Sequence, residues 1–526
     1  MAQKIAIISF ARNDSEADRF SRMMSDLNIP EDIDAEVFFI NGADNAAAAF
    51  NQGMKAAEDI HFKMYIDCNV EILSSDLIRD GIRFLVDNPN IPMLGVTGTD
   101  QIHSDGVSYQ GVHRINDLLL SGDNYLPGDY IKPGESVLLD GGVYFTSSDV
   151  AWREDLVETG YFLGPSQSTE FRRIGKNVEV LKTGKKYIRN QNDICDIPEH
   201  DRQNFLREYS KDILPLVSVI IPSSRPGYLK EALDSVLAQD YQNMEIFISD
   251  DAESGEAEKY VTEIQKTDDR VIYEHHPGYA ATQNWDVCKA YDNSAARYVN
   301  WLMDDDLFLP GKISTMTDVM LDHPEVTVVS SVRYTIDAFG NRTGMYGLTE
   351  ITQPVEMSGE EAALAVLSLN NFIGELSTGL IRKSAMLNGK DLGYKDPDCG
   401  PPDSTTWLKA LESGDLYYFN RPYSCFRVHE GSSSMNLATL VNVVYAQGEC
   451  IQDYAEKDVF LTDAERIGSA CCVYLSRAGY YLRKAFEEGR HETPYVRNLL
   501  DQVKVIDDLM IDAVDDGMVN KTQMKN

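Results

Sequence analysis

The sequence predicts an α/β protein of two tandem Rossmann-like domains, each on a mostly parallel sheet, followed by a helical C-terminal segment. Three observations predict it. Short β-branched runs alternate with amphipathic stretches in both halves of the 526-residue chain, the pattern of an open parallel sheet. The order of those runs repeats from the first half to the second, as an internal duplication would. The composition, 43% hydrophobic and 10% aromatic, is rich enough to build real cores.

In the first half, taken as residues 1–190, Lys4–Phe10 reads as a buried strand followed by Arg12, and Glu36-Val-Phe-Phe-Ile40 as a second. Asn51 stands 14 residues before Tyr65, and the polar cluster Asp67-Cys-Asn69 follows. Residues 191–215 turn polar and mixed in charge, from Asn190-Gln-Asn-Asp to Glu199-His-Asp-Arg, and read as a linker ending at Pro215.

The second half, 216–435, restates the plan. Val217-Ser-Val-Ile-Ile is a strand, and Pro222-Ser-Ser-Arg-Pro-Gly227 a loop. Tyr228, Leu229, Ala232, Leu233, Val236 and Leu237 then share one helical face. Glu245–Ser249 is a strand ending in Asp250-Asp251. Ala281–Ala290 is a helix, and Tyr298–Met303 is a strand ending in Asp304-Asp-Asp306. Asn284 stands 14 residues before Tyr298, matching Asn51 and Tyr65. In the last segment, 436–526, Val496, Leu499, Leu500, Val503, Ile506, Leu509 and Met510 trace one helix face, expected to pack on the second domain.

Charge narrows the function. With 84 acidic and 48 basic side chains the net charge is −36, which argues against nucleic acid, because counterion release needs clustered Lys and Arg. It equally disfavours electrostatic docking on an anionic membrane. No run reaches the roughly 20 apolar residues of a spanning helix, and Ile5–Ala11 is too short for a signal peptide. The eight cysteines form no C-x-x-C pair, which suits reduced thiols and a cytoplasmic protein, one that would meet any membrane partner loosely at the inner face.

The chemistry should lie at the strand ends, since open parallel sheets bind ligands outside their carboxyl ends. Like charges about 4 Å apart repel by about 4 kcal/mol at an effective dielectric of about 20. Three consecutive aspartates beside Leu307-Phe-Leu are therefore costly without a cation, and oxygen ligands select Mg²⁺ or Mn²⁺. Without the strand-end context, the triplet would be an ordinary solvated loop or helix N-cap.

These residues reach a known family. Val219-Ile-Ile-Pro-Ser-Ser-Arg-Pro-Gly-Tyr-Leu-Lys-Glu-Ala-Leu, Glu245-Ile-Phe-Ile-Ser-Asp-Asp and Asp304-Asp-Asp-Leu-Phe-Leu-Pro310 closely resemble family 2 glycosyltransferases, inverting enzymes of the GT-A fold. The resemblance covers about 216–435. It implies that Pro222, Ser223 and Arg225 line the donor nucleotide, that Asp251 receives its base, and that Asp304 approaches the ribose or diphosphate. Counting back from Pro310, Asp305 falls on the metal-binding aspartate. Met303 stands where the family often has another, so Asp304 or Asp306 would compensate.

Asn371-Phe-Ile-Gly-Glu375 and Pro402-Asp-Ser-Thr-Thr-Trp-Leu-Lys409 resemble acceptor-side segments, and Phe426-Arg-Val-His429 the closing motif. By the same resemblance Asp403 is the general base and His429 a further metal ligand or diphosphate contact; alone, Asp403 would be an ordinary N-cap and His429 a surface or core histidine. The expected partners are a nucleotide-sugar donor and a glycan, lipid-linked or protein acceptor.

Residues 1–185 resemble a more divergent GT-A domain, through Ala49-Phe-Asn-Gln-Gly-Met-Lys-Ala, Lys63-Met-Tyr-Ile-Asp-Cys-Asn-Val and Leu139-Asp-Gly-Gly. There Asp67 and Asn69 form the metal motif, with a weaker amide ligand at the second position. Asp140 takes the acceptor-side acid position, and Glu170 replaces a later aspartate. Three roles stay open for this half: a second active transferase, a non-catalytic acceptor or donor binder, or a structural partner. Two rival classes remain for the whole chain. A nucleotidyltransferase would need a Gly-rich basic triphosphate loop, which Pro222–Gly227 is not; a non-catalytic carbohydrate-binding scaffold would not need the carboxylate series.

Overall fold

In the computed structural model, residues 3–107, 114–119, 125–126, 137–156, 160–190, 197–386, 403–432 and 436–523 are described. The chain divides into two compact units, Met1–Leu214 and Pro215–Asn526.

Unit 1 holds strands β1 (Gln3–Ala11), β2 (Ile33–Asn41), β3 (Phe62–Ile66), β4 (Val70–Ile72), β5 (Met93–Thr99), β6 (Arg114–Ile115), β7 (Leu118–Leu119), β8 (Tyr125–Leu126), β9 (Leu138–Thr146), β10 (Val178–Val180) and β11 (Ile188–Asn190). Its helices are α1 (Asp14–Asp26), α2 (Ala46–Ala56), α3 (Leu77–Asp87), α4 (Leu163–Arg173) and α5 (Glu199–Ile213).

Unit 2 holds β12 (Leu216–Ser223), β13 (Met244–Asp250), β14 (Val271–His275), β15 (Ala296–Trp301), β16 (Leu307–Phe308), β17 (Val326–Ser331), β18 (Arg333–Ile336), β19 (Arg342–Tyr346), β20 (Val355–Met357), β21 (Leu380–Arg382), β22 (Asp415–Phe419) and β23 (Ser424–Arg427). Its helices are α6 (Pro226–Leu237), α7 (Glu256–Gln265), α8 (Ala281–Ala290), α9 (Lys312–Asp322), α10 (Gly359–Ser368), α11 (Asp403–Leu411), α12 (Leu437–Glu456), α13 (Ala464–Glu487) and α14 (Pro494–Gln523).

The main sheet of unit 1 runs β2-β1-β3-β9-β5-β10, and that of unit 2 contains β13-β12-β15-β21-β17-β22. In both, the successive pairings are parallel, parallel, antiparallel, antiparallel and parallel. The smaller sheets repeat as well: β4-β11-β7-β8 and β16-β23-β18-β19 share the sequence antiparallel, parallel, antiparallel. The duplication read from spacing is therefore a duplication of topology, and the sheets are mixed where parallel ones were expected. Unit 2 adds β14 outside β13 and β20 outside β22.

The segment expected as a linker is corrected: residues 191–196 lie outside the described residues, but α5 belongs to unit 1. Phe205 and Tyr209 are fully buried, Phe205 stacks on Phe162 at 4.6 Å, and the Tyr209 hydroxyl donates to Glu170. Its three-residue apolar face is thin enough to be hidden among charges, so a polar composition concealed a packed helix. The C-terminal helices share the core of unit 2: Val441, Val444, Tyr474, Val496, Leu499 and Ile506 join one apolar cluster with Trp301, Val328 and Trp407. Leu500, expected on that buried face, is 39% exposed.

Candidate active site

β12, β13 and β15 are adjacent and parallel, so their carboxyl ends open on one crevice. Asn284, on α8, holds that edge together: its Nδ2 donates to the carbonyls of Ser223 and Ser249, and its Oδ1 accepts from the Ser249 hydroxyl. Pro222 and Ser223 pair with Ser249 and Asp250 in register. The Asp250 carboxylate accepts from the Ala252 amide and the Tyr273 hydroxyl, a structural role. Asp251 is half-buried at the mouth, its amide donating to the Ser223 carbonyl. Burial, then the neighbouring Asp250, pushes its carboxyl up.

The loop after β12 is fastened by Asp304. Its Oδ2 accepts from the amides of Ser224 and Arg225 at 2.8 Å each, and its Oδ1 from the Arg225 guanidinium at 2.8 Å. Burial pushes its carboxyl up to about 6, against the pull of Arg225. Two polar atoms are left over beside it. Ser223 Oγ and Arg225 Nε are buried without a hydrogen-bond partner among the described residues, which suits a loop that completes its bonding on a polar ligand.

Asp305 and His429 meet over the same guanidinium. Asp305 Oδ2 lies 2.8 Å from Arg225 and 3.1 Å from His429 Nε2. The Gly431 amide donates to His429 Nδ1, and Nε2 faces both Asp305 and the Arg225 guanidinium, the latter at 3.2 Å. One carboxylate oxygen and one imidazole nitrogen thus lie side by side, a donor set that fits Mn²⁺ or Mg²⁺. Asp306, expected in the same set, is otherwise engaged: Oδ1 accepts from the Arg427 amide and Oδ2 from the Ser377 hydroxyl. Its carboxyl is fully buried and, for that reason first, pushed well above the usual range. Among the described residues, the cluster of three potential ligands is His323, Glu325 and Glu356. His323 precedes β17, which runs in the direction of β15 through two antiparallel steps, so this cluster lies at the opposite end of the strands.

Asp403 opens α11. Burial, then the charge of Glu375, pushes its carboxyl up to about 7, while an amide bond from Leu376 and the charge of Arg333 work the other way. Glu375 is itself held by Arg333. A carboxylate titrating near neutrality suits a general base.

Unit 1 places its counterparts differently. Asp140, expected as an acceptor-side acid, is buried in a two-pronged pair with Arg114 at 2.8 and 2.9 Å and accepts from Thr97 Oγ1. Paired on both oxygens, it is corrected to a structural residue. Glu170 accepts from Arg153, Arg173 and the Tyr209 hydroxyl, fastening α5. Asp67 Oδ1 accepts from the Asn69 amide, closing a turn on itself. Asn69 is buried, and Cys68 between them is buried with its thiol pushed up by burial. Arg12, which follows β1 as Arg225 follows β12, is taken by Glu16 through its backbone amide, Nε and a terminal nitrogen. Asn51 holds the backbone of Trp152 and not the strand ends, unlike Asn284.

Sequence reasoning missed Asn284 as a clasp and Arg427 as a hub. Arg427 is 1% exposed. Its guanidinium donates to the carbonyls of Asp305, Asp337 and Ala338 and to Glu231. Its position two residues before His429 was the available signal.

Comparisons with known proteins match each half of the chain. A family model described as "Glycosyltransferase like family" matches residues 6–209, and one described as "Glycosyl transferase family 2" matches residues 218–386. A GalNAc(5)-diNAcBac-PP-undecaprenol beta-1,3-glucosyltransferase of Campylobacter jejuni is 24% identical over 275 residues, 52% of this chain and 84% of the relative. An uncharacterized glycosyltransferase of Rickettsia typhi is 34% identical over 226 residues, 42% of this chain and 66% of the relative. A UDP-Glc:alpha-D-GlcNAc-diphosphoundecaprenol beta-1,3-glucosyltransferase of Escherichia coli is 23% identical over 228 residues, 42% of this chain and 80% of the relative. Two matched models in tandem, on a duplicated sheet, have one reading: the chain is a glycosyltransferase of two tandem domains, the second of them matched by the family 2 model.

Proposed function

We propose that unit 2 performs an inverting, cation-assisted transfer of a sugar from a nucleotide-sugar donor to a hydroxyl of a glycan acceptor. The observation that carries this reading is the convergence of Asp251, Arg225, Asp304, Asp305 and His429 on the crevice at the ends of β12, β13 and β15. Pro222, Ser223 and Asp251 would bind the nucleoside, and Arg225 and Asp304 would shape the loop against the ribose and diphosphate.

Asp305 and His429 would hold Mn²⁺ or Mg²⁺, which when bound supplies positive charge to the leaving diphosphate. Asp403 takes the acceptor hydroxyl's proton as that oxygen attacks the anomeric carbon. The new C–O bond forms opposite the breaking bond to the diphosphate, so configuration inverts.

The C. jejuni and E. coli relatives are named for acceptors on undecaprenyl diphosphate, and a lipid-linked glycan is accordingly the favoured acceptor over a free polysaccharide or a protein. No helix of the described residues is long and apolar enough to cross a membrane. The enzyme would therefore meet such an acceptor peripherally, at the cytoplasmic face.

The test is nucleotide release from a panel of UDP-, GDP-, dTDP- and CMP-sugars, with and without undecaprenyl-diphosphate-linked sugars. The expected result is Mn²⁺-stimulated release that the lipid-linked acceptor accelerates and Asp403→Asn abolishes. Full transfer by Asp305→Ala in the presence of a chelator would remove the cation from the mechanism.

A further inference from the structure

Because the two units share strand order and pairing sense, each position of the unit 2 site has a counterpart in unit 1. β1 and β2 pair out to Ala11 and Asn41, and β12 and β13 out to Ser223 and Asp250. The next residue is Gly42 in unit 1 and Asp251 in unit 2. The base-contacting carboxylate therefore has no side chain opposite it.

The helix carrying the general base shows the same change. α4 lies between β9 and β10 as α11 lies between β21 and β22. Gly164-Pro-Ser-Gln-Ser-Thr-Glu-Phe171 aligns without a gap on Gly400-Pro-Pro-Asp-Ser-Thr-Thr-Trp407. Residues 400–402 lie outside the described residues, but the later positions agree in burial: Phe171 and Trp407 are both fully buried, and Thr169 and Thr405 nearly so. Gln167 thus stands where Asp403 stands. Its amide is 1% exposed and donates to the Val150 carbonyl at 2.7 Å. An amide cannot take a proton from a hydroxyl at neutral pH.

The link after the third parallel strand completes the comparison. In register, Ile8 pairs with Tyr65 as Ile220 pairs with Trp301, so Asp67, Cys68 and Asn69 stand for Met303, Asp304 and Asp305. A buried thiol thus stands where Asp304 fastens the donor loop, an amide where Asp305 meets His429, and the loop arginine Arg12 is bonded to Glu16 where Arg225 reaches the aspartates. The counterpart of His429 lies outside the described residues.

We infer that unit 1 is a catalytically silent copy: it neither binds a nucleotide-sugar in the manner of unit 2 nor transfers one, so the chain makes a single kind of glycosidic bond from one donor. This rests on the transferase reading of unit 2 and goes beyond it, by excluding a two-sugar enzyme.

Binding and turnover test it independently on the full chain. Equilibrium dialysis with UDP, GDP and dTDP in MnCl₂ is expected to give saturation at one nucleotide per chain, lost in Asp251→Ala. Saturation at two, or one site surviving in Asp251→Ala, would overturn the inference whether or not turnover is seen. In the nucleotide-release panel, Asp403→Asn is expected to reduce release from every donor by about 10²–10⁴-fold. Gln167→Ala and the conservative Glu170→Gln, checked for folding by thermal melting, should stay within about twofold of the parent chain. Release from a second donor that survives Asp403→Asn and disappears in a folded Gln167→Ala chain would show a working site in unit 1. Failure of the transferase reading has a different signature, namely absent release by the parent chain while the binding stoichiometry still reports on unit 1.

Discussion

Asp305 Oδ2 and His429 Nε2 lie 3.1 Å apart although 124 residues separate them in sequence. The closing strand β23 brings the histidine back to the loop that follows β15, through its antiparallel pairing with β16. If this pair holds the cation, His429→Ala should raise the Mn²⁺ concentration for half-maximal nucleotide release by about tenfold or more. A titration of release against MnCl₂ checks it. An unchanged midpoint would assign His429 to the diphosphate alone.

If Asp403 is the base, transfer is pH-dependent. A base must be ionised to work, so with a carboxyl pushed up to about 7 the rate should rise through neutrality on an acidic limb centred there. Glu375→Gln removes a repelling charge and frees Arg333, and both changes move the limb to lower pH. A pH profile of transfer in the two chains measures the displacement.

The same group affects stability in a fixed direction. Folding raises the Asp403 pKa from about 3.9, so its contribution is full below that value and is lost as pH rises toward 7. Asp403→Asn, which cannot ionise, should therefore melt higher than the parent at pH 8, by about 3 °C, and at the same temperature at pH 4.

Much of the frame was legible in sequence because apolar strands in a covered sheet announce themselves. β12 and β13 exceed their expected runs by a few residues, and α8 coincides with its stretch residue for residue. What was not legible depended on long-range pairing. Arg427 reaches Asp305 across 122 residues, and no local pattern foretells that. The engagement of Asp306 by Ser377 and of Asp140 by Arg114 likewise depends on how the chain returns. Gln167 is the opposite case: Gly164–Phe171 laid over Gly400–Trp407 shows the replacement in the sequence itself.

In unit 1, Arg114→Met would leave the Asp140 carboxylate buried and unpaired. The expected cost is about 3–5 kcal/mol, read by denaturant unfolding. Replacing both partners, Arg114→Met with Asp140→Leu, should cost less than the single change. Equal or greater loss in the double variant would mean that packing, not charge, is what Arg114 contributes.

Lys312 is fully buried at the start of α9, its amine donating to the Thr378 carbonyl at 2.7 Å and lying over the Phe308 ring. Burial holds its pKa well below the ordinary lysine value. Unfolding lets the amine gain a proton, so stability should climb with pH up to about 10.4. Lys312→Met should be more stable than the parent at pH 7 by about 1 kcal/mol, with the gain fading by pH 10 in parallel urea titrations.

The duplicated sheets differ most at their borders. In unit 2 the shared six strands are covered on one side by β14 and on the other by β20, whereas in unit 1 β2 pairs with β1 alone among the described residues. Among the described residues that leaves a nine-residue strand with one ladder edge unpaired, the kind of surface on which chains polymerise. Asp34 and Glu36 are spaced along it, and every copy carries a net charge of −36. Two such edges approaching one another would bring like charges together before any hydrogen bond could form. The acidity that tells against nucleic acid would thus also guard this border against self-association, and high salt or low pH is where that protection should weaken first.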